Sequence, residues 1–185
     1  MNNIVPPASA AVKGMDVLLA KSSAVDKLGN HCQRPIDGVV CRPTRPVLHE
    51  DGVLTEIARD AWEAIHDPIV QVHLTTTLPG RIRAWGLHQF STDRLFVVKG
   101  NISLVIYDGR LPSATYGAIN EFKVSERSPS LLVIPPNLFH GWKVIGTDEA
   151  LIINMPTSVY NYDEPDALSL PYDSTEATEL VPWRW

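Results

Sequence analysis

A chain of 185 residues, 44% hydrophobic and 20% charged, has the balance of a soluble globular protein and is long enough for one domain with a proper core. Its formal net charge of -5 leaves no basic face for nucleic acid or for an anionic membrane surface, and no apolar run approaches the length of a membrane span. The N-terminus, M-N-N-I-V-P-P, lacks the basic start and apolar middle of a signal peptide, and Cys32 and Cys41 are too few for a disulfide framework, so free thiols in the cytoplasm are expected.

Residues 1–44 read as an extension, with a short helix around Val17, Leu18 and Leu19 and then breakers at Gly29, Pro35, Gly38 and Pro43. Val47 to Ile57 predicts a turn at Asp51-Gly52 and a strand. Glu56 to Ile65 predicts a helix, because Ile57, Ala61, Trp62 and Ile65 fall on one helical face and Pro68 follows. From Ile69 the period becomes two: Val70, Val72 and Leu74 alternate with Gln71, His73 and Thr75. Pro79-Gly80 turns the chain into a strand over Arg81 to Phe90. Leu95–Val98 and Ile102–Tyr107 form a hairpin about Lys99-Gly100-Asn101. Strands follow at Ala118–Val124, Leu131–Ile134, Trp142–Ile145 and Ala150–Met155. Short strands at regular turn spacing predict an all-β antiparallel jelly roll. The expected division is an extension over 1–44, a barrel over 45–165, and a tail over 166–185 that packs on the barrel or at a subunit interface.

Two histidines carry the candidate chemistry. His88 ends a strand and His140 stands in I-P-P-N-L-F-H-G-W; both are expected to face one cavity. Imidazole titrates near neutrality, so His88 suits a general base, and His140 suits a group that polarises a carbonyl or orients a substrate. A purely structural, hydrogen-bonded histidine is the alternative for each. Arg83, Arg94 and Arg110 are candidates for gripping a diphosphate with paired donors, or else solvated surface charges. Trp85, Tyr107, Tyr116, Trp142, Tyr160 and Tyr162 could stack on a base or sugar, and Tyr160 or Tyr162 could supply an acid from a loop near the rim.

Several blocks, in order from about Val47 to Asp166, resemble the dTDP-4-dehydrorhamnose 3,5-epimerase family of the cupin superfamily. Gly86-Leu87-His88 is like the family's Arg-Gly-Leu-His, whose histidine is the catalytic base. Arg94-Leu95 to Gly100, then Asp108-Gly109-Arg110, is like Lys-Leu-Val-Arg-x-x-x-Gly and Asp-x-Arg. Ser113-Ala114-Thr115-Tyr116-Gly117 is like Ser-Pro-Thr-Phe-Gly, and Ile134-Pro135-Pro136 through His140-Gly141 is like Ile-Pro-x-Gly-Phe-Ala-His-Gly. Val70-Gln71 through His73 is like Val-Gln-x-Asn-His, which puts Gln71 and His73 among substrate-binding residues. The sequence departs from the pattern at Trp85 and Asp51, where the family has arginines, and near Ile152, where it has its acid tyrosine; Asn154 shares that strand face. The base's acidic partner, which the family carries near its C-terminus, has no evident match in the tail.

The resemblance implies a cupin-type barrel acting on a dTDP-4-keto-6-deoxyhexose by proton abstraction next to the ketone. Taken with the residue reading, the expected site has His88, His140 and Tyr162 in catalysis, and Gln71, His73, Arg83, Trp85, Arg94, Arg110 and Asn154 on the nucleotide-sugar ligand. The resemblance also implies a homodimer. No metal and no cofactor are expected: metal cupins use His-x-His followed by a glutamate, and here Phe90 stands at the second histidine and Arg94 in the region of the acid, where a guanidinium would repel a cation. The alternatives are a non-epimerising cupin that binds a sugar nucleotide or a small acid, and a metal-dependent cupin enzyme.

Overall fold

The computed structural model describes Lys27 and residues 35–185; the helix expected around Val17 to Leu19 lies outside the described residues. Twelve strands and one helix follow in chain order: β1 Val40–Pro43, β2 Val47–His49, β3 Gly52–Leu54, β4 His73–Thr77, β5 Ile82–His88, β6 Asp93–Lys99, β7 Asn101–Tyr107, β8 Ile119–Ser125, β9 Ser130–Ile134, β10 Phe139–Val144, β11 Ala150–Asn154, β12 Ala167–Ser169 and α1 Thr175–Leu180. Ten of the strands make two five-stranded sheets, ordered β1-β9-β6-β11-β4 and β12-β5-β10-β7-β8, and β2 and β3 make a separate hairpin. All pairings are antiparallel, the jelly-roll arrangement the turn spacing predicts.

The core follows from period-two alternation. Leu95 and Val97 of β6, Leu132 and Ile134 of β9 and Ile152 of β11 point inward from one sheet. Ile102, Leu104 and Ile106 of β7 and Val144 of β10 meet them from the other. The tight β6–β7 hairpin requires glycine at position 100: its φ is +82°, and a Cβ there would sit 2.6 Å from the Glu149 carbonyl oxygen.

Several expectations are corrected. Residues 56–65 form turns rather than a helix, with hydrogen bonds from Trp62 N to Arg59 O at 2.9 Å and Ile65 N to Trp62 O at 2.8 Å. Ile57, Trp62 and Ile65 instead pack as a strap on Leu131, Val133 and Met155. A helix this short is marginal in water, so tertiary packing decides the backbone. The one helix among the described residues is α1 in the tail, capped by Ser174. In β4 the phase is inverted: Val72 and Leu74 are exposed, Thr77 is buried, and the edge strand begins at His73 rather than Ile69.

The strand set also extends past both expected domain boundaries. Residues 35–43 belong to the barrel, because Ile36 is in the core, Ile36 N donates to Asn120 Oδ1 at 3.0 Å, and β1 pairs with β9. The tail contributes β12, which pairs with β5. Beyond it, Ala177, Val181, Trp183 and Trp185 cover Trp85, Val105 and Tyr107 on the outer side of the second sheet.

Candidate active site

Strand pairing brings the two histidines together. In β10 and β5, His140 is paired with Gly86, so His88, two residues beyond Gly86, projects from the same face as His140. The rings stack with centroids 6.0 Å apart and planes 13° apart. Gly141 is what lets β10 lie this close to β5, since a Cβ there would fall 2.3 Å from Ala84 Cβ. A bulge next to it, between the His140–Gly86 and Trp142–Arg83 pairs, has a second effect. Arg83 and His88 are an odd number of residues apart, which on a regular strand puts side chains on opposite faces; the irregularity lets both line one cavity.

Two carboxylates flank His88. Its Nδ1 is 3.3 Å from Asp166 Oδ2 and its Nε2 is 3.4 Å from Asp93 Oδ2. Asp166 arrives because β12 pairs Ala167 with His88, and it also accepts backbone hydrogen bonds from Gln89, Phe90 and Ser91 at 2.9, 2.9 and 3.0 Å. Partial burial works against ionisation of Asp166, but those N–H groups and His88 hold its carboxyl below the usual range. Asp93 is 3% exposed. Its Oδ2 is 3.2 Å from His140 Nε2, and its Oδ1 accepts from Asn154 Nδ2 at 2.7 Å. Burial would raise its pKa; His140, His88 and the Asn154 amide more than offset this. His140 is also buried, which favours the neutral ring, yet the contact with Asp93 and the Leu138 carbonyl, 3.1 Å from Nδ1, lifts it above its ordinary value.

Beside this cluster is a cavity of about 900 Å³. Of the residues expected from sequence, Gln71, His73, Arg83, His88, Asn154 and Tyr162 line it. His140 lies behind Asp93, buried. Three residues assigned to the ligand do not line it, nor do the aromatic candidates Tyr107, Tyr116 and Trp142. Arg94 is 1% exposed and turned away, its guanidinium donating to the carbonyl oxygens of Met155, Asp67, Pro68 and Pro156 at 2.6, 2.6, 2.9 and 3.3 Å. Arg110 is bound to buried Asp108 through two contacts of 2.9 Å. Trp85 is buried on the outer side of β5, its ring centroid 5.1 Å from that of Trp185.

The sequence reading missed Asp93 and Asp166. Asp93 was available from alternation, because it shares parity with the core residues Leu95 and Val97 while Arg94 points the other way. The acid facing the histidines is therefore the neighbour of Arg94, and the argument that a guanidinium repels a cation there does not hold. Asp166 gave no local signal: its place depends on an edge-strand pairing that nothing in Y-D-E-P-D foretells.

The family model for dTDP-4-dehydrorhamnose 3,5-epimerase matches residues 34–177. The chain belongs to that family. Among curated relatives of this epimerase-family chain, the probable low-salt glycan biosynthesis epimerase Agl13 of Haloferax volcanii is 34% identical over 139 residues, 75% of this chain and 89% of that protein. The spore coat polysaccharide biosynthesis protein SpsL of Bacillus subtilis is 31% identical over 150 residues, 81% of this chain and 96% of that protein. The fold is also that of a dTDP sugar isomerase from Desulfovibrio desulfuricans, with a TM-score of 0.74 at 24% identity over 81% of this chain and 92% of that one.

Proposed function

We propose that this protein epimerises a dTDP-4-keto-6-deoxyhexose, with His88 as the base that removes the proton next to the ketone. The observation that carries this reading is the placement of His88 at the cavity with Asp166 on Nδ1. A carboxylate accepts at Nδ1, so that nitrogen carries hydrogen and the neutral ring keeps its lone pair on Nε2. When Nε2 takes the proton from C3 or C5 of the sugar, the imidazolium formed has a carboxylate on either side, Asp93 and Asp166, and the electron pair moves to the C4 oxygen as an enolate. Return of a proton from the other side of the ring inverts the carbon.

Tyr162 is the proton donor in this reading, since it lines the cavity with its ring set edge-on to that of Tyr160, the centroids 5.0 Å apart. Arg83 takes the diphosphate; its guanidinium lies 5.7 Å from the Trp142 ring centroid and it is the one arginine or lysine lining the cavity among the described residues. Gln71, His73 and Asn154 supply polar wall groups, and Gln71 Oε1 holds the Tyr160 loop by accepting from its backbone N–H at 2.7 Å. His140 is a positioning residue, tied to Asp93 rather than to the cavity. The working form is a cytoplasmic homodimer; the exposed Val70 and Val72, just before edge strand β4, and Leu74 within it support the dimer.

Incubation with dTDP-4-keto-6-deoxyglucose, followed by NMR of the ring protons, tests the reaction. Inverted coupling patterns at C3 and C5, lost in His88→Ala, are expected; an unchanged substrate with the wild-type protein contradicts the reading.

A further inference from the structure

We propose that His88, Asp93 and His140 form a binding site for one first-row divalent transition-metal ion, and that the bound ion occupies the His88 Nε2 lone pair and so competes with proton abstraction. The binding half stands on geometry alone; the competition half depends on His88 being the base.

Three potential donor atoms converge: His88 Nε2, His140 Nε2 and Asp93 Oδ2. The Asp93 oxygen is 3.4 Å from the first nitrogen and 3.2 Å from the second, and all three atoms lie within 4.8 Å of one another. Ligands about 2.1 Å from a common ion at tetrahedral or octahedral angles stand roughly 3.0–3.4 Å apart. Both oxygen–nitrogen separations therefore already suit an ion, and rotation of the partly exposed His88 ring adjusts the third.

The outer contacts fix which atoms face inward. The Leu138 carbonyl can only accept, so His140 carries hydrogen on Nδ1 and turns Nε2 to Asp93, while His88 is held between Asp166 on Nδ1 and Asp93 on Nε2. Both rings thus turn Nε2 toward the same Asp93 oxygen, where a proton or a cation can lie between nitrogen and oxygen. Asp93 is itself oriented by Asn154 through its other oxygen. Each of the three candidate ligands thus has an outer partner of the kind that orients metal ligands. Two imidazoles and one carboxylate suit ions of the cobalt, zinc, iron and nickel type rather than magnesium or calcium. Arg94 is directed away into backbone carbonyls, and Asp93 and His88 face the cavity, which leaves open positions for water or an oxygen ligand.

The test uses the full chain stripped with a chelator, then titrated with Co(II). Saturable binding of one equivalent with the visible absorption of nitrogen-ligated Co(II) is expected. Binding should weaken at least about 100-fold in His140→Ala and Asp93→Asn and about 10-fold in Asn154→Ala, and remain unchanged in the surface control His49→Ala. In case a variant does not fold, the wild-type protein supplies an independent readout: NMR of its Co(II) form should show two strongly shifted exchangeable ring N–H protons. Absence of one-equivalent binding, binding unaltered in His140→Ala, or fewer than two shifted N–H protons overturns the site. Solvent-deuterium exchange into the keto sugar should stop on metal loading and return with chelator; exchange that continues in the loaded protein overturns the competition. A metal-free protein that never catalyses exchange, yet binds one Co(II), refutes the epimerase reading and leaves the site standing.

Discussion

His88 has two carboxylate neighbours with different tasks. In the proposed reaction Asp166 holds Nδ1 and, with its charge held by three backbone N–H groups, balances the imidazolium that would form. Asp166→Asn keeps a carbonyl oxygen for those N–H groups but removes the charge. We expect kcat to fall by about 100-fold with little change in KM, as measured by initial rates. In the same reading Arg83 grips a part of the substrate that does not react, so Arg83→Ala should raise KM about tenfold and leave kcat within a few-fold. Much of this arrangement was readable in the chain. Gly86-Leu87-His88 marked the histidine at the cavity, and the alternation through Asp93, Leu95 and Val97 contained the acid beside it. The arginines were not separable by sequence, because Arg83, Arg94 and Arg110 look alike until one lines the cavity, one caps carbonyls and one pairs with Asp108.

At the scale of elements, Asp108 is the fixed point that joins the β7–β8 connection to the segment before β1. It is fully buried and accepts from Arg110, Ser113 and Thr115. Thr115 Oγ1 in turn accepts from Asp37 N at 3.1 Å, and Arg110 donates to Asp37 O at 3.1 Å. Burial pushes its carboxyl up, but the guanidinium and hydroxyls outweigh that and hold it far below the ordinary value. A depressed folded-state value contributes stability that is complete above the unfolded carboxyl's pKa of about 3.9 and is lost as pH falls through the folded value. Asp108→Asn should therefore cost about 2–3 kcal/mol at pH 7, less than a fully buried pair because Arg110 is partly exposed, and should flatten the fall in stability below about pH 4. Denaturant titrations across that range check it. Two elements were misread from the sequence for one reason. Helical spacing over 56–65 and β alternation over 69–75 both identified apolar residues correctly, but not what they meet. The first set packs as a strap, while Val72 and Leu74 of the second set point outward from an edge strand.

For the molecule as a whole, the turn spacing and the apolar runs determine the jelly roll, because β6 to β11 each send alternate residues into one core between the two sheets. The limits of the domain were less legible, since β1 and β12 are short strands with exposed side chains whose pairing comes from long-range partners rather than local pattern. The exposed apolar edge at β4 belongs to this scale. Leu74→Lys should convert the proposed homodimer to monomer in sedimentation velocity without changing the β-sheet circular dichroism.

The central claim is that His88 removes a carbon-bound proton. It is tested most directly by proton NMR of dTDP-4-keto-6-deoxyglucose in deuterium oxide, with wild-type protein and with His88→Ala in parallel. The account predicts loss of the C3 and C5 proton signals with the wild type and a rate at least about 100-fold lower with the variant. Exchange at equal rates in both, or none in either, would contradict it.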